Sequence, residues 1–170
     1  ITLREGKYHQ IKRMFEAVDN KIETLERVTF GPLTLDPTLS RGEWRYLTED
    51  EIVRRKQLSD HTRKMICGIL NVVAEDDTSI MTTYREFYLQ ISFSVLHPLM
   101  VFCMAKPLEG SMVTLNKRSN EMNLRSVLGS HFVNEDFGCY NYRATHWLDT
   151  EMNQHRFFEI LDRCCDEAVR

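Results

Sequence analysis

Glu86-Phe87-Tyr88-Leu89-Gln90-Ile91-Ser92-Phe93-Ser94-Val95 alternates apolar and polar residues along its length. Phe87, Leu89, Ile91, Phe93 and Val95 point one way; Glu86, Tyr88, Gln90, Ser92 and Ser94 point the other. A sustained period of two with aromatic and β-branched content predicts a strand with one buried face. Leu96-His97-Pro98 turns the chain, and Leu99 to Ala105 is continuously apolar. That run predicts an antiparallel partner strand that is central or covered on both faces.

Moving toward the C-terminus, Ser111 reads as the N-cap of a helix that buries Leu115, Met122, Val127 and Leu128 and stops at Gly129. A second hairpin follows, with His131 to Val133, a turn at Asn134-Glu135-Asp136, and Phe137 to Trp147. Asp149 or Thr150 caps a last helix whose stripe is Phe157, Ile160, Leu161, Cys164 and Ala168. Moving the other way, Ser59-Asp60 starts a helix with Met65, Ile66, Ile69, Leu70 and Val73 on one stripe, followed by an acidic loop over Glu75–Ser79. Residues 59–170 therefore read α-β-β-α-β-β-α, an α+β domain with two hairpins in one antiparallel sheet and helices on one side. Roughly 110 residues suffice for one core. The edge of that sheet is expected in the 131–147 hairpin, because the 99–105 strand is too apolar to lie open.

Residues 1–58 are of another character. They carry 11 Lys and Arg against 10 Asp and Glu, whereas residues 59–170 carry 11 against 15. Nucleic-acid contact depends on cations that neutralise phosphates, so it is expected in the first part. There Ile1-Thr2-Leu3 alternates like the end of a strand, Glu5-Gly6 is a turn signal, and Ile11, Met14, Phe15 and Val18 have helical spacing from His9 on. Lys7, Lys12 and Arg13 fall at the turn and on the first helical turns, where helix-start amides and cations suit a phosphate. A solvated surface helix with ordinary cations would show the same charges. Lys21 to Phe30 reads as a strand broken by Gly31-Pro32, with a short further strand over Leu33 to Leu35. Thr48-Glu49-Asp50-Glu51 is a capping box that opens a short charged helix ending at Leu58. The boundary between two parts is placed in a linker over residues 53–58.

Glu5-Gly6-Lys7-Tyr8-His9-Gln10-Ile11-Lys12-Arg13-Met14 resembles the last motif of the ribosomal pseudouridine synthases of the RsuA type. Phe15-Glu16-Ala17-Val18, Asn20-Lys21, Leu25 and Arg27, Phe30-Gly31, Leu35-Asp36-Pro37, and Gly42-Glu43-Trp44-Arg45 with Leu47-Thr48 continue the likeness over residues 1–52. Asp19 departs from it, standing where the family has Gly at a position that favours a left-handed residue. The resemblance implies RNA contact through Lys7, His9, Gln10, Lys12 and Arg13, with Lys12 the position carried over most directly. The family's catalytic aspartate lies upstream, in an Arg-Leu-Asp context found nowhere in these 170 residues. Residues 1–52 are thus expected to be the tail of a catalytic domain, without its nucleophile. With that upstream part supplied, the resemblance implies isomerisation of uridine to pseudouridine in ribosomal RNA by aspartate attack, with no metal or organic cofactor.

Leu115-Asn116, Asn120, Gly129, Phe132, Tyr140, Tyr142-Arg143 and the long terminal helix are similar to the YbjN-like proteins, which share a fold with type III secretion chaperones. That resemblance covers about residues 80–170 and implies a non-enzymatic module that forms dimers or binds peptide. Asn116, Asn120, Tyr140 and Tyr142 are its candidate partner-binding residues, and Tyr84 and Tyr88 could join the tyrosines on an open sheet face.

Other constellations point to less. His131, Cys139 and His146 share a hairpin but lack the tight ligand pairs of a zinc site. Spacing alone cannot establish a Cys–His nucleophile. The five cysteines show no C-x-x-C, so neither a disulfide framework nor a metal knuckle is indicated, and a reducing cytoplasm is the natural setting. No apolar run approaches the roughly 18 residues of a membrane span, and the start does not read as a signal peptide. The whole is read as an RNA-contacting segment joined to an acidic protein-binding module. A purely non-catalytic chaperone-like or regulatory protein is the alternative.

Overall fold

The computed structural model describes residues 1, 9–30, 33–94, 97–107, 110–148 and 152–169. Its elements are α1 (Gln10–Glu16), β1 (Thr29–Phe30), β2 (Leu33–Thr34), α2 (Glu49–Ile69), β3 (Ala74–Glu75), β4 (Ser79–Tyr84), β5 (Phe87–Phe93), β6 (Leu99–Pro107), α3 (Met112–Asn123), β7 (Gly129–Asn134), β8 (Cys139–Trp147) and α4 (Gln154–Ala168). β1 and β2 form a small hairpin; the other strands form one antiparallel sheet in the order β3-β4-β5-β6-β8-β7. The fold is α+β, as the sequence predicts.

β5 is built by the alternation quoted above. Phe87, Leu89, Ile91 and Phe93 are buried while Tyr88 is exposed. Val95 and Leu96 lie outside the described residues. β6 is central, between β5 and β8, with Met100, Phe102 and Met104 buried. These faces meet Ile66 of α2 and Phe157, Leu161, Cys164, Cys165 and Ala168 of α4 in one core. The helix stripe read over residues 157–168 is the face that α4 buries. Burying each such side chain contributes about 1.5–3 kcal/mol, so the core rests on this helix–sheet layer. Asn153 caps α4 by accepting from the Arg156 amide at 2.9 Å; the caps expected at Asp149 and Thr150 lie outside the described residues.

Several expectations are corrected. The sheet has six strands, because β3 and β4 precede β5 and turn into it at Arg85, which adopts φ 50°. Residues 49–69 form one helix rather than two, so the linker expected over 53–58 is helical and Ser59-Asp60 starts nothing. The capping box does open α2: Glu51 N–H donates to Thr48 Oγ1 at 3.3 Å, and Thr48 N–H to Glu51 Oε2 at 2.8 Å. α2 begins to pack against the core only at Leu58; Ile52 and Val53, nearer its start, are exposed. The strand expected over Lys21–Phe30 is reduced to Thr29–Phe30, because only those residues find a partner strand. α3 ends at Asn123, and Gly129 opens β7 instead of closing a helix. Val127 and Leu128 are exposed there, not buried.

Candidate functional site

Two groups of residues bear on function: the basic segment around α1 and a buried polar cluster where α3, β7, β8 and α4 meet.

α1 is seven residues long and buries none of them. His9 precedes it with φ 51° and gives no side-chain cap. Gln10 is half-buried, while Lys12 and Arg13 are exposed. Lys7, the turn at Glu5-Gly6 and Thr2-Leu3 of the expected strand lie outside the described residues, and Ile1 is exposed. The helix ends as its departure from the family pattern requires. Asp19 adopts φ 54°, Asp19 N–H donates to the Glu16 carbonyl at 3.1 Å, and Asn20 N–H donates to the Phe15 carbonyl at 3.0 Å. These are bonds of a Schellman-type end, made with Asp where Gly is cheaper.

Downstream, Arg45 ties the segment to α2. Its guanidinium holds Glu51 through two bonds of 2.9 and 3.0 Å and Asp36 through one of 2.7 Å. Bonds from Thr38 and then Arg45 hold the Asp36 carboxyl well down, to about 2; Arg45 and the Thr48 amide do the same to Glu51. Arg45 is therefore engaged within the protein, whereas Lys12 and Arg13 project into solvent.

The second group centres on Glu167, which stands on the buried stripe of α4. Its carboxylate accepts from the amides of Val127 (2.5 Å), Leu128 (2.9 Å) and Gly129 (3.0 Å) and from the Tyr142 hydroxyl (2.5 Å). Burial alone pushes this carboxyl up, but Tyr142 and the three amides outweigh it and hold it below its ordinary range. Beside it, the Tyr140 hydroxyl donates to the Ala168 carbonyl at 2.9 Å and so accepts from His131 Nδ1. His131 Nε2 lies 2.5 Å from the Ser126 hydroxyl, which has the Met122 carbonyl at 3.2 Å as a competing acceptor. Burial pushes the imidazole down, which favours the neutral ring. Asn123 grips the His131 backbone from the end of α3, accepting from its N–H at 2.7 Å and donating to its carbonyl at 2.8 Å.

A hydroxyl, a neutral imidazole and a group orienting that imidazole can activate a nucleophile. Here the neighbouring amides, which would stabilise an oxyanion, are filled by the Glu167 carboxylate. The arrangement joins four elements, and the three backbone amides beside it are occupied by Glu167.

Tyr140 and Tyr142, expected on a partner-binding face, are therefore core: helices cover that side of the sheet and their hydroxyls are spent on Glu167 and Ala168. Tyr84 donates to Asp162 at 2.9 Å, and only Tyr88 of the four is well exposed. Asn116 and Asn120 are exposed on α3, with Asn116 donating to Glu135 at 3.3 Å. His131 belongs to the polar cluster. No group of three or more metal-ligating side chains occurs among the described residues.

A stretch of 52 residues, 31% of the chain, is 58% identical to the ribosomal small subunit pseudouridine synthase A of Vibrio cholerae. The chain spans 22% of the length of that relative. Among solved structures, YbjN from Escherichia coli superposes with a TM-score of 0.50 at 10% identity, over 64% of this chain and 83% of that one. The Yersinia pestis type III secretion chaperone SycH matches with a TM-score of 0.46 at 13% identity, over 66% and 97%. No protein-family model matches the chain. Both resemblances read in the sequence are thus found: a 52-residue segment shared with pseudouridine synthases, and a fold shared with YbjN.

Sequence reasoning missed Ser126, Asn123 and Glu167. One signal was present for Glu167: it falls three residues after Cys164, on the apolar stripe, where a carboxylate demands buried partners. The other two serve contacts that only the tertiary fold creates.

Proposed function

We propose that this chain contacts ribosomal RNA through residues 1–52 and binds protein through residues 59–170, where the free edge β7 receives a second copy or a peptide strand. The observation that carries the first half is the 58% identity over 52 residues to a ribosomal RNA pseudouridine synthase, joined to the exposure of Lys12 and Arg13. His9, Gln10 and Lys7 complete the proposed contact. Isomerisation of uridine belongs to this reading only where the Arg-Leu-Asp motif, absent from these 170 residues, is supplied. The second half is supported by the order of strands. Among the described residues β7 pairs with β8 alone, and Leu124 and Val127 are exposed beside it. Such an edge can accept another strand. Asn116 and Asn120 on the exposed side of α3 are proposed to flank that surface. No helix among the described residues is long and apolar enough to cross a membrane. The cytoplasm is the proposed setting, in keeping with five unpaired cysteines.

The test is the salt dependence of RNA binding. Each phosphate contact adds about one to the slope of log affinity against log salt. Replacing Lys12 and Arg13 by Gln should flatten the slope by about two. An unchanged slope would show that these cations do not touch phosphate and would leave a purely protein-binding chain.

A further inference from the structure

Phe30, Trp147 and His97 form a line of rings where the β1–β2 hairpin meets the end of β8. Phe30 and Trp147 lie edge to face with centroids 4.9 Å apart, and His97 lies 5.9 Å from Trp147. Two cations flank the line. The Arg27 guanidinium stands 5.3 Å from the Phe30 centroid, and Arg55 Nη2 stands 3.5 Å from His97 Nδ1. The rings do not close into a core: Phe30 is 41% exposed and Trp147 40% exposed. A cluster serving only to fasten the hairpin would gain most from burial, yet these rings keep much of their surface in water.

We propose that this cluster is a stacking platform for single-stranded RNA, continuing the path of the basic segment across the join onto the sheet. The inference rests on the RNA reading above and extends it to residues outside the 1–52 segment. Three observations carry it. Trp147 keeps 40% of its surface open to solvent, and an exposed indole stacks an unpaired base whatever its sequence. Arg27 and Arg55 bring positive charge to the same place, complementary to the phosphates between stacked bases. Phe30 belongs to the same 52-residue stretch that carries Lys12 and Arg13, the cations of the RNA reading. A duplex, whose bases are already stacked, would not use the platform.

The 170-residue chain has two tryptophans, Trp44 and Trp147, so Trp44→Phe leaves Trp147 as the sole indole reporter. Titrating this variant with an unlabelled single-stranded RNA of about 12 nucleotides should quench Trp147 emission saturably, whereas duplex RNA of that length should not. Trp147→Ala should weaken binding at least about fivefold without changing the salt slope, because stacking releases no counterions. Trp147→Tyr, which keeps a ring, should stay within about twofold of the parent. Unquenched emission, or an unchanged affinity in Trp147→Ala, would overturn this inference alone if Lys12→Gln and Arg13→Gln still flatten the slope. A slope unmoved by those two changes would overturn the RNA reading and the platform with it. Should Trp147→Ala fail to fold, the quenching of the Trp44→Phe protein decides.

Discussion

Glu167 is a buried carboxylate with four donors on it, and removing its charge should be felt by the whole domain. Glu167→Gln keeps the shape but sets an amide N–H₂ against some of those donors. Leaving buried amides and the Tyr142 hydroxyl poorly paired should cost about 2 kcal/mol, read as a lower midpoint in denaturant unfolding. The pH dependence has a definite sign. The carboxyl is held below its ordinary value of 4.5, so the unfolded chain takes up the proton first. The stabilisation is fully present above about 4.5 and is lost as pH falls through the lower folded value. The Gln variant has no proton to take up there, so its stability should fall less steeply in that acid range. Equal steepness in the two proteins would mean that Glu167 titrates as it does in the unfolded chain.

At the scale of elements, α2 is the sharpest departure from expectation and the easiest to test. Ser59-Asp60 has the composition of a helix start, and a proline at position 60 would be welcome if a helix began there. In the middle of a 21-residue helix it removes a backbone donor and clashes with the preceding turn, at a cost of about 3 kcal/mol or more. Asp60→Pro should therefore lower both far-UV helical ellipticity and the unfolding midpoint; an unaffected protein would restore the break. β5 and α4 were legible because each buries one regular face, so period identifies them, and β6 because its apolar run is continuous; of its two faces only one is fully buried. β4 was not, because Ser79 and Thr82 are buried on it and interrupt the apolar pattern. They pay for burial with hydrogen bonds, Ser79 donating to Asp76 at 2.8 Å and Thr82 to the Asn71 carbonyl at 2.7 Å. The end of α3 was misplaced for a related reason. Gly129 resembles a helix stop, but it is there because an added Cβ would meet the Arg143 carbonyl and the Tyr142 ring at 2.5 Å. The basic segment, in contrast, was read from its motif, since α1 has no buried face from which periodicity could be confirmed.

For the whole molecule, the buried hydrophobic core runs from Ile66 to Ala168, and among the described residues of 9–58 only Leu58 packs against it, in part. The described residues before α2 meet the rest of the chain through the Arg45–Glu51 ion pair at the start of α2 and the Phe30–Trp147 contact. The proposed RNA-contacting arm, joined to the part that holds the core, should then show two levels of stability in one chain, since local opening follows the buried contacts. Amide hydrogen exchange on the full chain, with and without single-stranded RNA, measures both levels at once. The expected result is slow exchange in β5, β6, β8 and α4, fast exchange over residues 9–47 in the free protein, and slowing confined to the arm and the Phe30–Trp147 join when RNA is added. Uniform slow exchange from residue 9 onward, or an arm whose exchange RNA leaves unchanged, would contradict it.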